Sequence, residues 1–271
     1  MKLSVSNIAW GNKNFSSFLK LIKDQACDGV EIAPSLIWPE PIDSTGPERI
    51  LFQNQLKEFD LELVGFHSLL YSRPDLQFFL NKKIKEKTIK YICDLIQLCS
   101  DLGGKHLIFG SPRNRLLHGK KYEVCIKQIY EDFYKISEHG KKYQVYFCIE
   151  PLFDSENEFI KTLDEGGKIV NKINHPYFKL HIDTKTIFSA SEDPVEIINN
   201  YINVIQHVHV SDQNLSEPGT KNVGHDKIGA ALRQAKFNNY VSIEMRKKEQ
   251  NNEKAIKNSI CFVRKNYLNK L

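Results

Sequence analysis

Residues 178–210 read FKLHIDTKTIFSASEDPVEIINNYINVIQHVHV. They open on a short strand-like run, Phe178–Asp183. An amphipathic stretch follows at Pro194–Ile202, and a second run rich in Val and Ile lies at Val204–Val210. Short runs of this composition suit strands buried on both faces. Two such strands joined by a helix pair in parallel through a right-handed crossover. The same unit recurs in both directions along the chain. Further strands are predicted at Leu3–Ala9, Gly29–Ala33, Leu61–Ser68, His106–Gly110, Gln144–Glu150 and Tyr240–Met245. Further helices are predicted at Phe15–Gln25, Pro47–Phe59, Lys82–Leu102, Tyr122–Lys142, Leu163–Ile173, Asp226–Lys236 and Asn252–Tyr267. Eight strands, each followed by a helix, close naturally into a barrel. The expected fold is a single (β/α)8 TIM barrel over residues 1–271, close in length to the roughly 250 residues typical of that fold. A doubly wound open sheet is the alternative, but no G-x-G-x-x-G follows the first strand.

Composition narrows the function classes. The chain is 41% hydrophobic, enough for a core, and no run approaches the roughly 20 apolar residues of a bilayer span. Met1–Ser6 enters a strand pattern at once, without a signal or transit pattern, so cytoplasm is the expected compartment. The six cysteines form no C-x-x-C pair and read as small hydrophobes in a reducing compartment. The net charge of +5 is spread over many segments. A nucleic-acid footprint would be a concentrated basic patch interleaved with aromatics, so neither nucleic acid nor membrane is an expected partner. A homo-oligomer is compatible with the sequence.

Chemistry concentrates at the ends of the last four strands. Glu150 stands in Cys-Ile-Glu-Pro, Asp183 in His-Ile-Asp-Thr, His209 in His-Val-His-Val-Ser-Asp and Glu244 in Ser-Ile-Glu-Met. They are 33, 26 and 35 positions apart, each about one strand–helix repeat. Successive strands would therefore bring them to one barrel mouth, where active sites of such barrels lie. Three carboxylates gathered there repel one another unless a cation joins them. Three carboxylates and one imidazole form a hard donor set. That set suits one divalent ion, Mn²⁺ or Mg²⁺ first, with Co²⁺ or Zn²⁺ as alternatives.

These motifs, in this order, resemble the xylose isomerase-like barrel superfamily. It includes sugar and sugar-phosphate isomerases and epimerases, inosose and dehydroshikimate dehydratases, and endonuclease IV. Ser-Asn-Ile-Ala-Trp, Gly-Val-Glu-Ile-Ala-Pro and Gly-Ser-Pro-Arg-Asn-Arg are similar to a sugar-phosphate isomerase/epimerase subgroup. The resemblance implies that Glu150, Asp183, His209 and Glu244 hold the metal, and that Glu150 and Glu244 are also the acid/base pair. A metal-dependent sugar or sugar-phosphate isomerase or epimerase, working through an enediolate, is the expected function. The alternative is a metal-dependent dehydratase of an inosose-like or dehydroshikimate-like ring. A barrel that binds a ligand without turnover is a further reading. The sequence also departs from the sugar epimerases. Thr186 stands where they carry a His, and Gln213, Asn214 and Leu215 stand where they often carry an Arg. Thr186 and Val223 also replace partners expected for the three-metal cluster of endonuclease IV, which sets DNA cleavage aside.

Other residues have weaker claims. His67 ends the third strand and is a further catalytic candidate; the alternative is a core histidine. Glu31, Trp10, Glu156 and His225 are candidate substrate contacts. For Glu31 the alternative is a buried ion pair, and for Trp10 ordinary packing. Arg113 and Arg115 follow the fourth strand and can clamp a phosphate or carboxylate together; the alternative is a solvated loop. His181 and His207 lie two residues before Asp183 and His209 and are expected to support them from deeper in the barrel.

Overall fold

The computed structural model describes residues 1–11, 13–155 and 157–268. The eight strands are β1 (Lys2–Ser6), β2 (Gly29–Ile32), β3 (Glu62–Phe66), β4 (His106–Phe109), β5 (Tyr146–Ile149), β6 (Phe178–Asp183), β7 (Ile205–Val210) and β8 (Tyr240–Ile243). They pair in parallel in chain order, and β1 also pairs with β8, so the barrel is closed. The helices are α1 (Phe15–Asp24), α2 (Gly46–Glu58), α3 (Lys82–Asp101), α4 (Tyr122–Tyr143), α5 (Leu163–Ile173), α6 (Thr184–Ser189), α7 (Pro194–Tyr201), α8 (His225–Gln234) and α9 (Asn252–Val263).

Most helices start where the sequence places a cap. Thr45 and Glu48 form a reciprocal capping box on α2. Asn81, Thr162 and Asp193 accept first-turn backbone N–H groups of α3, α5 and α7. Several features were not predicted. β1 stops at Ser6 and passes into a 3₁₀ turn at Asn7–Ala9, another such turn lies at Gln213–Leu215, and α9 gives way to a π-turn at Arg264–Leu268. The helix α6 follows β6 directly, with Asp183 as its N-cap. The long connections after β2 and β4 contain short 3₁₀ turns at Pro34–Leu36, Pro41–Asp43 and Pro112–Arg115.

The outer faces of the strands are apolar. Phe109, Phe147 and Phe178 pack against Phe133 of α4, with ring centroids 5.3–6.1 Å apart. The barrel interior is polar. Ser4, Glu31, His181, His207, His209 and Ser242 are all fully buried. Register levels them: His181 pairs with His207, Asp183 with His209, and His209 with Ser242. Side chains at one level of neighbouring parallel strands point the same way, so Asp183 and His209 face the axis side by side. Four cysteines are buried, as expected for small hydrophobes, whereas Cys93 is half-buried and Cys261 exposed. Among the described residues no helix is long and apolar enough to cross a membrane.

Candidate metal centre

Glu150 and Glu244 directly follow β5 and β8, while Asp183 is the last residue of β6 and His209 the last but one of β7. One carboxylate oxygen from each of Glu150, Asp183 and Glu244 lies within 4.8 Å of the others. His209 Nδ1 is 3.5 Å from Glu150 Oε1 and 3.5 Å from Glu244 Oε2. The four strand-end residues therefore converge at the C-terminal mouth. Glu150 and Glu244 keep 7% exposure each, and Asp183 and His209 none.

The surroundings orient this set. Fully buried Glu31 accepts from His209 Nε2 at 2.9 Å, which leaves Nδ1 facing the carboxylates. His209 Nδ1 and Glu244 Oε2 have no hydrogen-bond partner among the described residues. An imidazole lone pair and carboxylate oxygens facing one another repel unless a proton or a cation lies between them. The buried donor set with its orphaned atoms thus fits a divalent ion, with Glu31 fixing the histidine tautomer. His67 shares a 2.6 Å hydrogen bond with Ser6 Oγ through Nε2, and its Nδ1 lies 3.4 Å from Glu244 Oε1. Ser211 Oγ donates to Asp183 Oδ1, and Thr184 Oγ1 donates to the Ser211 carbonyl at 2.8 Å. At position 110 a Cβ would overlap the Glu150 carboxylate, so the glycine makes room for it.

Protonation follows these fields. Burial raises the Glu150 carboxyl, and nearby Glu244 and Asp183 add to the rise against His209. Burial also works to raise Glu244, but His209, Lys185 and His67 hold it well below the usual carboxylate range. His209 is lowered by burial yet held well above the ordinary imidazole value by Glu31 and Glu244. Burial, opposed by Glu31, pushes His207 down to about 3. His181, buried beside His209 and His207, is also held well below its ordinary value.

A cation that sequence reasoning overlooked enters this cluster. Lys185 Nζ donates to Asp183 Oδ2 and lies 3.6 Å from Glu244 Oε2. The signal was in the Asp183-Thr184-Lys185-Thr186 motif, two residues after a predicted ligand.

The other expected substrate contacts take different places. Glu31 is sealed beneath His209, as in its ion-pair alternative, and does not reach the mouth. His225 uses both ring nitrogens structurally, toward Asp212 Oδ1 at 2.7 Å and the Tyr267 hydroxyl at 2.6 Å. The structure does not bring Arg113 and Arg115 side by side. On a 3₁₀ turn they diverge, so Arg113 is exposed and Arg115 is buried. Arg115 lies over the Phe109 ring and donates through Nη2 to the Gly110 carbonyl at 3.2 Å. Burial, offset by Glu150 and Glu165, pushes the Arg115 guanidinium down to about 10. Trp10 donates to the Lys13 carbonyl at 2.7 Å and lines a cavity of about 730 Å³ with Lys247, Lys254 and Lys257. Glu156 lies outside the described residues.

The family model for the xylose isomerase-like TIM barrel matches residues 19–266. Over 98 residues the chain is 29% identical to D-psicose 3-epimerase of Ruminiclostridium cellulolyticum, which covers 36% of this chain and 33% of that protein. The match thus spans about a third of that relative's length. The fold superposes on D-psicose 3-epimerase with D-tagatose from Clostridium cellulolyticum H10 with a TM-score of 0.84. That pair is 17% identical, over 98% of this chain and 99% of the other. A 3-keto-D-glucoside 4-epimerase from E. coli gives 0.81 at 17% identity, over 98% and 99%. A probable 3-DHS dehydratase from Bacillus anthracis gives 0.75 at 18% identity, over 97% and 98%. At such identities the likeness is one of fold.

Proposed function

Because this chain belongs to the xylose isomerase-like TIM barrel family, we propose that it is a divalent-metal-dependent isomerase. It epimerises or isomerises a sugar or sugar derivative through an enediolate. The observation that carries this reading is the convergence of Glu150, Asp183, His209 and Glu244, with their donor atoms within a few ångströms of one another. The similarity to sugar epimerases supports the substrate class. Mn²⁺ or Mg²⁺ held by these four residues would supply Lewis-acid stabilisation of negative charge on the substrate's oxygens.

The protein's own residues handle the proton. Glu150 arrives from β5 and Glu244 from β8, so the two can address different faces of one carbon. One carboxylate removes the proton beside a carbonyl, and the electron pair passes into the enediolate. Return of a proton from the other carboxylate inverts that carbon, giving an epimer. Return of the same proton to the neighbouring carbon, with the hydroxyl proton passing between the two oxygens, interconverts aldose and ketose. His67 and Ser211 hold Glu244 and Asp183 in place. The nearly complete burial of the carboxylates limits competing water.

Metal analysis of the purified protein, followed by incubation with ketoses, aldoses and their phosphates in D₂O with Mn²⁺, tests this. Deuterium should enter next to the carbonyl of an isobaric product. Glu150→Gln and Glu244→Gln should each cost about 10²-fold or more in turnover. A product that has lost water would replace the isomerase by a dehydratase on the same residues. Absence of exchange with every sugar offered would count against both.

A further inference from the structure

Lys185 lies on the first turn of α6, two residues beyond Asp183. Its backbone N–H donates to Asp183 Oδ1 at 3.1 Å, and its ammonium folds back onto Asp183 Oδ2. The same Nζ is 3.6 Å from Glu244 Oε2, an oxygen with no hydrogen-bond partner among the described residues. The side chain is 25% exposed, while those of Asp183, Glu244 and Glu150 are 0%, 9% and 10% exposed. It therefore enters the cluster from the mouth, and its charge is set against carboxylates from β5, β6 and β8.

We propose that Lys185 is a built-in competitor for the metal. Its ammonium neutralises the carboxylates when no divalent ion is bound, and metal entry displaces it toward the mouth. This inference rests on the metal reading given above. The physical reason is direct. A divalent ion needs the Asp183 lone pair that the ammonium engages and the Glu244 oxygen it faces at 3.6 Å, and two cations so close repel strongly in a site shielded from water. An uncompensated set of buried carboxylates would in turn destabilise the metal-free fold. Lys185 thus lowers metal affinity and protects the empty site. Once displaced, its ammonium stands where substrate enters, available to an electronegative substrate group.

Two measurements on the full-length protein test this. The first is Mn²⁺ titration calorimetry of the parent and Lys185→Met, which keeps the length and removes the charge. Lys185→Met should bind Mn²⁺ about tenfold more tightly or better, equivalent to about 1.4 kcal/mol, and should melt at a lower temperature without metal. The second needs no variant. Brief acetylation of the parent, with peptide mass spectrometry, should label Lys185 several-fold faster when Mn²⁺ is present. Equal affinities in parent and variant overturn the inference and leave the metal reading standing. Binding by neither protein overturns both. Binding by Lys185→Met alone overturns displacement of the lysine by Mn²⁺, and with it the inference, and removes metal dependence from the natural chain. Tighter binding without faster labelling also overturns it, because through-space repulsion would then suffice.

Discussion

At position 110 a single hydrogen in place of a methyl group decides where Glu150 sits, because a Cβ there would overlap its carboxylate. Gly110→Ala must push Glu150 off the cluster or spread β4 from β5. It should therefore weaken Mn²⁺ binding about tenfold or more, about 1.4 kcal/mol, while the far-UV circular dichroism keeps its parent form. Parent-like binding would mean that Glu150 has freedom the packing denies it. The two arginines that follow are separable by the same logic. Arg113 is exposed and Arg115 is buried against Phe109 and the Gly110 carbonyl. Arg113→Ala should raise KM for a phosphorylated substrate about tenfold without altering metal content, the mark of lost uniform binding. Arg115→Ala should instead lower the melting temperature, since it empties a packed position behind Glu150. An unchanged KM in Arg113→Ala, with every phosphorylated substrate tried, would rule out anion binding by this turn.

At the scale of elements, the connection between β7 and α8 is held by one buried relay. His225 opens α8 and bridges Asp212 to the Tyr267 hydroxyl near the end of the chain. Asp212 Oδ2 in turn accepts the backbone N–H groups of Thr220 and Lys221 at 2.9 and 2.7 Å. The loop is thereby fastened on one side of Ser211, whose hydroxyl donates to Asp183. His225→Ala removes both ring hydrogen bonds and strands two buried polar groups, at about 1–3 kcal/mol for each group. Limited proteolysis should then cut between residues 213 and 224 sooner than in the parent, with a lower melting temperature. If cleavage and unfolding are both unmoved, the ring is not a clamp.

Across the whole molecule, closure of β8 onto β1 leaves the sheet without an edge and forces polar side chains from every side toward one axis. If the cluster at the mouth holds a divalent ion as proposed, occupancy is linked to global stability. An ion that binds only the folded chain stabilises it by about 2.7 kcal/mol at a free concentration 100-fold above Kd. For a domain of this size that corresponds to roughly 5–10 °C in Tm. Thermal scans with Mn²⁺ should show such a rise and its reversal by a chelator. Glu244→Gln should lose most of it. No metal-dependent shift under saturating conditions would separate the cluster from metal binding altogether.

Periodicity and spacing determined the barrel, because alternating strands and helices are encoded locally and only a few architectures can bury them. The same spacing placed Glu150, Asp183, His209 and Glu244 at one end of successive strands, since each strand end inherits its level from the repeat. Helix starts were legible near Thr45 and Asn81, where a capping side chain precedes a periodic stretch, but not at Asp183, whose cap on the short α6 is hidden by its place at a strand end. What tertiary structure decided was direction and depth. Whether Glu31 meets substrate or His209 depends on its level inside a closed barrel, which pairing register sets. Whether Arg113 and Arg115 act together depends on a 3₁₀ turn that points one outward and one inward. That Lys185 folds back onto Asp183 follows from an extra helix, α6, starting at that residue. A one-dimensional pattern records which residues are near one another along the chain. The partner of a long charged side chain is chosen instead by the nearest buried opposite charge, and only the folded chain brings that charge into place.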